Sequence, residues 1–255
     1  MTALSIYYVN RGFCLAADGN VTDRFDGVLQ VTKSSAQKIF NLQGSNYNLA
    51  CAMSGEVSSD DLTYDIVREI NSYTGEYSSF LEWCSSLGKK IQESLAKAKR
   101  DGKLTPYKPS ATPTERENII VDVYLVGYFR GTPVWNDIVF WHGINGVEFQ
   151  VCNMRLINGL LIAGGAVKAP RLAQDGDERL AKYRNHLNQR PENISSIDDA
   201  ANFVTAYVEV CCDPYSKEID EDCKCLGGHI HVAEITTNGF RWRIPPKEKP
   251  AISGG

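Results

Sequence analysis

The sequence predicts an α+β fold in which helices cover two stacked antiparallel sheets. Three observations carry that expectation. β-rich runs come in blocks, pairs of segments with helical spacing separate the blocks, and neither an internal repeat nor a domain boundary interrupts the order. Read along the chain, the order is strands, two helices, strands, two helices, strands.

The first strand spans Ala3 to Tyr8. Asn10-Arg11-Gly12 reads as a turn, and Phe13 to Ala17 is a second apolar run that ends at Asp18. Val28 to Leu42 and Tyr47 to Met53 read as further strands around the turn-prone Gly44-Ser45-Asn46. The period then changes to 3.6. Ser58 or Ser59 can cap a helix with Asp60 and Asp61 in its first turn and Leu62, Ile66, Val67 and Ile70 at helical spacing. Ser79 to Arg100 predicts a second helix, with Phe80, Trp83, Leu87, Ile91 and Leu95 on one face and Lys97, Lys99 and Arg100 at the end that favours cations. Asp101 to Asn118 carries three prolines and little apolar content, so it reads as a surface connection. Strands follow at Ile119–Phe129, Val134–His142, Glu148–Cys152 and Leu156–Ile162, then helices at Arg171–Leu187 and Ile197–Cys212. Strands at Gly228–Thr236 and Gly239–Arg243, joined at Thr237-Asn238, close the chain.

At 255 residues the chain is long enough for one large domain or two small ones, and 43% hydrophobic residues supply a sizeable core. The proline-rich connection lies between halves that read as parts of one sandwich. A single domain over residues 2–245 with a disordered tail over 246–255 is therefore expected. A net charge of −4 argues against a nucleic-acid or anionic-membrane surface. No apolar run approaches the ~18 residues of a membrane span, and the first twenty residues lack the pattern of a secretion signal. A cytoplasmic location follows as the expectation, with the eight cysteines read as free thiols.

The chemistry is concentrated near the start. A threonine hydroxyl is a weak nucleophile unless a neighbouring group takes its proton. Removal of Met1 would give Thr2 a free α-amine, which titrates near pH 8, well below a lysine. Asp18 closes the second strand and can lie beside the beginning of the first. Lys38, in AQKIFNL, begins another strand. A lysine held by an aspartate beside the α-amine favours the neutral amine, because two cations repel. Gly55, in CAMSGEV, follows a strand and can present its N–H to a developing oxyanion. Each residue alone is a weak signal, and the set in this order is a strong one.

With these residues in place, the chain resembles the β-type proteasome subunits of the N-terminal nucleophile hydrolases. The likeness rests on Thr2, a strand ending in Ala17-Asp18 sixteen positions later, Lys38-Ile39, Gly55 and the closing GGHIHVAEITTNGFRW. The resemblance implies a four-layer αββα sandwich and a threonine-type peptidase that needs no metal or organic cofactor. Thr2 would be the nucleophile, Lys38 and Asp18 its activating pair, and Gly55 the oxyanion donor. The resemblance also assigns Thr22 to aligning a substrate strand and Val21, Ala36, Met53 and Val57 to lining the first specificity pocket. That lining is apolar, so cleavage after large apolar residues of peptides or unfolded proteins is expected. A closed homo-oligomeric ring is implied as well; an ATPase partner is not readable from the chain. The alternatives are a catalytically silent ring subunit that keeps Met1 and an amidase acting on a small molecule.

The chain departs from the family pattern in three places. The loop between Asp18 and Lys38 is longer, and LIAGGAVKAP offers Gly164 or Gly165 where the family has a serine. The family's later aspartate meets Asp213, followed by an insertion down to Leu226. One rival motif also stands out. Cys211, Cys212, Cys223, Cys225, His229 and His231 are residue types that bind zinc, but their spacing does not match paired Cys-x-x-Cys knuckles, and reduced thiols are the default reading.

Overall fold

A computed structural model describes residues 2–9, 12–25, 28–57, 65–75, 77–105, 118–159, 161–164, 166–189 and 193–247. It is an α+β structure whose strands all pair antiparallel. The elements are β1 (Leu4–Val9), β2 (Gly12–Ala17), β3 (Val21–Phe25), β4 (Val28–Lys33), β5 (Ile39–Gln43), β6 (Tyr47–Gly55), α1 (Ile66–Asn71), α2 (Phe80–Arg100), β7 (Ile119–Phe129), β8 (Thr132–Gly143), β9 (Gly146–Asn153), β10 (Leu161–Gly164), α3 (Lys168–Asp175), α4 (Ala181–Leu187), α5 (Ile197–Cys212), α6 (Pro214–Ile219), β11 (His231–Thr236) and β12 (Gly239–Ile244). One sheet has the order β10-β1-β2-β11-β12 and the other β5-β6-β7-β8-β9, while β3 and β4 form a two-stranded ribbon.

Alternation along the strands sorts the apolar residues into three clusters. Leu4, Ile6, Phe13, Leu15, Ala233 and Ile235 of the first sheet meet Ile39, Ala50, Ala52, Val126 and Trp135 of the second. Tyr7, Cys14, Ala16 and Val232 point the other way, onto Ala200, Val204 and Tyr207 of α5 and Ala169 and Ala173 of α3. Leu49, Cys51, Met53, Val123, Leu125 and Phe140 leave the second sheet toward Ile66, Trp83, Leu87 and Ile91 of α1 and α2. Each buried Leu, Ile or Val contributes about 1.5–3 kcal/mol relative to an exposed one, so these faces fix the strand registers that place the site.

Most predicted elements match. β7 and α5 occupy the expected spans, and Ser79 caps α2 by accepting from the Glu82 N–H at 3.2 Å. The differences have local causes. The stretch read as one strand over Val28–Leu42 is two, because the chain leaves the ribbon after Lys33 and enters the second sheet only at Ile39. Between them, the main chain serves a loop elsewhere: Ser34 O accepts from His229 N at 2.7 Å, and Ala36 N donates to Gly19 O at 2.9 Å. The β3 strand was not expected at all. The first helix starts at Ile66 with Asp65 as its cap, accepting from Arg68 N; the proposed caps Ser58 and Ser59, with Asp60, Asp61 and Leu62, lie outside the described residues. The helix expected over Arg171–Leu187 breaks at Gly176, whose φ of 106° ends α3 in the left-handed conformation that glycine adopts freely. The strand expected from Leu156 is β10, beginning at Leu161, and the one expected from Gly228 begins at His231. The short α6, started by Asp213 with Pro214 behind it, was also missed. Asn10 and Arg11 of the first turn, most of the proline-rich connection and residues 248–255 of the tail lie outside the described residues.

Candidate active site

The antiparallel register pairs Leu4 with Ala17, which brings Ala3 opposite Asp18. There the ladder ends with a side chain. Asp18 N donates to Ala3 O at 3.1 Å, and Ala3 N donates to Asp18 Oδ1 at 3.0 Å. Lys38 Nζ lies 2.7 Å from the same Oδ1. The other oxygen, Oδ2, accepts from Gly227 N at 3.1 Å and Asn20 N at 3.4 Å. One fully buried carboxylate therefore joins the start of β1, the segment before β5 and the turn before β11. Because Ala3 N–H and Lys38 Nζ share one oxygen, the residue preceding Ala3 stands in the immediate neighbourhood of the ammonium. That residue is Thr2, itself buried.

Lys38 is nearly enclosed, with 10% of its side chain exposed. Burial holds its ammonium below the usual lysine range, and the adjacent Asp18 charge offsets this only in part. Its main chain is fixed as well: the N–H donates to His231 Nε2 at 3.0 Å and the carbonyl accepts from Met53 N at 3.3 Å. Two residues beyond Met53, Gly55 ends β6 with a φ of +115°. A Cβ there would lie 2.2 Å from the Ile120 carbonyl oxygen, so only glycine fits the close approach of the neighbouring strand.

The residues expected to line a pocket lie on several elements. Val21 and Thr22 begin β3 directly after Asn20, and Ala36 is tied to Gly19. Met53 is buried in the cluster between the second sheet and its helices, and Val57 packs against the same cluster. Gly164 pairs with Leu4 at the edge of the first sheet, and Gly165 lies outside the described residues. Asp213 spends its carboxylate on Tyr183 Oη at 2.8 Å, Lys182 Nζ at 2.9 Å and Tyr215 N at 2.9 Å, which makes it a hinge between α5 and α6.

The cysteine and histidine cluster divides in the same way. His229 Nε2 meets Pro245 O at 2.7 Å, His231 turns to Lys38, and Cys211 lies against the Ala166 carbonyl. Among the described residues no three such side chains are placed to hold a metal ion. Cys212 lies within electrostatic reach of Asp18 and Lys38, and burial pushes its thiol up to about 12, so it is protonated at neutral pH. Sequence reading missed the contributions of Asn20, Gly227 and His231 to the site. The adjacent glycines Gly227 and Gly228 before the last hairpin were the available signal.

No family model matches the chain, and no curated protein is matched by its sequence. Among solved structures it is similar to the Anbu (Gly-1) mutant from Hyphomicrobium sp. strain MC1, with a TM-score of 0.59 and 13% identity over 98% of this chain and 89% of that one. The two chains share their overall fold. At this identity the likeness concerns the course of the main chain, and the chemistry rests on the residues described above.

Proposed function

We propose that the protein is a proteasome-like threonine peptidase, folded as one unit over residues 2–245 in a four-layer αββα sandwich, and acting as a soluble cytoplasmic enzyme within a homo-oligomeric ring. The three apolar clusters support the layering. The observation that carries the function is the shared oxygen of Asp18, which sets the Lys38 ammonium beside residue 2 at the start of a strand.

In this reading, loss of Met1 frees the α-amine of Thr2. The threonine hydroxyl attacks the substrate carbonyl while its proton passes by way of a water to that amine. Lys38 lowers the hydroxyl's pKa and balances the charge that forms, and its ammonium, by repelling a second cation, favours the neutral α-amine nearby. Asp18 orients the lysine without yielding it to solvent. The N–H of Gly55 receives the oxyanion. The C–N bond then breaks, the leaving amine takes the proton from the α-amine, and water hydrolyses the ester left on Thr2. Thr22 aligns the substrate strand, while Val21, Ala36, Met53 and Val57 favour a large apolar side chain.

Intact mass is the direct test. A chain lacking the methionine, with a peptide epoxyketone adding its mass at Thr2, agrees with this reading. A retained Met1 with no hydrolysis of any peptide defeats it and leaves a silent structural subunit.

A further inference from the structure

The main chain of Lys38 is held from both sheets at once. Met53, which donates to its carbonyl, belongs to β6 of the second sheet. His231, which accepts its N–H, opens β11 of the first sheet opposite Ala17. The imidazole is thus a side-chain strut between the sheets, directly behind the ammonium that meets Asp18. A ring nitrogen accepts a hydrogen bond only when it carries no proton, so Nε2 is bare and the proton sits on Nδ1.

The ring is completely buried. Trp242 of β12 packs against it with ring centroids 6.0 Å apart. The charged or titratable groups around it are Lys38 from the segment before β5, His229 on its own strand's approach, and Asp18, one residue beyond its ladder partner Ala17. We propose that His231 is a positioning residue, a neutral acceptor whose bond to the Lys38 N–H fixes the lysine against Thr2. This rests on the reading of Thr2 and Lys38 as nucleophile and activating amine.

The electrostatics agree with the geometry. Burial lowers the His231 pKa to about 4 from an ordinary 6.5; the His229 backbone pulls the other way, and the Lys38 and His229 charges add to the lowering. A protonated ring would present a donor to the Lys38 donor and break the strut. The unfolded chain binds this proton more readily, so His231 lowers stability progressively as pH falls from about 6.5, and the penalty is complete below about 4.

Two substitutions separate acceptance from bulk. His231→Met keeps comparable volume without an acceptor, whereas His231→Gln keeps an amide oxygen near the position of Nε2. For His231→Met, kcat on a fluorogenic peptide should fall by about tenfold to a hundredfold through misplacement of the lysine, with KM within about twofold. His231→Gln should recover kcat to within about threefold. Imidazole nitrogen NMR of the wild type should show Nε2 bare above pH 5 and the Lys38 amide signal moving with the ring's titration near pH 4. An active wild type whose His231→Met variant keeps full kcat, or whose Lys38 amide ignores that titration, overturns the proposal alone. A wild type inactive on every peptide overturns the reading of Thr2, and with it the catalytic sense of the strut. Should His231→Met not fold, His231→Gln decides: near wild-type kcat supports an acceptor role, and an inactive folded variant overturns it.

Discussion

Asp18 and Glu234 are both buried carboxylates of the first sheet, Asp18 directly after β2 and Glu234 within the adjoining β11. Asp18 is held mainly by the main chain: three backbone N–H groups and a single lysine converge on it. Glu234 is held by side chains. Arg241 and Arg243 both bind it, Arg241 is largely exposed, and Arg243 also reaches Asp198 at 2.6 Å. Under the proposed function, the difference separates a structural ion pair from a chemical one. Guanidiniums surround Glu234 and spend their donors there, with solvent to screen them. At Asp18 the backbone supplies most of the neutralisation, so the lysine keeps ammonium donors for a neighbour in a water-poor place.

If this contrast is right, the greatest loss of turnover comes from the residue next to the Asp18 site. Thr2→Ala should lower peptide hydrolysis by at least ~1000-fold, as loss of a nucleophile does. The melting temperature should stay nearly unchanged, because the substitution removes few buried atoms and leaves Ala3 on Asp18. Activity assays and calorimetry on one preparation check both halves. An active Thr2→Ala protein would erase the distinction between the two carboxylates.

Lys38→Ala comes next. It should cut turnover by at least ~100-fold, the range for losing a positioned electrostatic or proton-transfer group. The fold should survive, since the carboxylate keeps its three main-chain donors. Lys38→Arg should also be poor, because a planar guanidinium does not fit the compact site of an ammonium. Near-full turnover in either variant would make Lys38 an ordinary ion-pair lysine, equivalent to the arginines on Glu234.

How much of this was legible follows from what sets each feature. The strand and helix periods of β7, α2 and α5 are local, and so were their boundaries. Asp18 and Lys38 were named from the sequence as a pair, and the structure joins them at one oxygen that also accepts from Ala3, the residue after Thr2; the roles of Thr2 and Gly55 belong to the proposed function. The break between β4 and β5 was not legible, because Ser34 and Ala36 give their main-chain bonds to His229 and Gly19, partners far away in sequence or across a turn. The role of His231 was not legible for the same reason. Beside four cysteines it has the chemistry of a metal ligand, a reading set aside on spacing, and only the meeting of two sheets turns its ring toward Lys38.

A smaller effect concerns the cleaved position. Peptides with a large apolar or aromatic residue there should be hydrolysed about tenfold faster than basic or acidic ones, since burying an unpaired charge costs more than ~1.4 kcal/mol. Methionine is adaptable enough to accept Leu, Phe or Tyr against it. A peptide series differing at that residue alone measures the ranking, and the fastest turnover of arginine or glutamate peptides would remove Met53 from the pocket.

The smallest effect on turnover belongs to Glu234 itself. Glu234→Gln keeps the shape and one acceptor oxygen while removing the charge between Arg241 and Arg243. Arg243 retains Asp198, and Arg241 turns to solvent, so neither cation is stranded in the interior. The cost should therefore be that of weakened charged hydrogen bonds, about 1–3 kcal/mol, read as a lower denaturant midpoint with an unchanged slope. Turnover should remain within about twofold, because Glu234 lies three residues along β11 from His231, roughly 10 Å of strand, and among the described residues shares no hydrogen-bond or ion-pair partner with Asp18. A Glu234→Gln protein that folds well and loses activity as Lys38→Ala does would mean that the two carboxylates belong to one network, and the line drawn between structural and chemical pairs would fall.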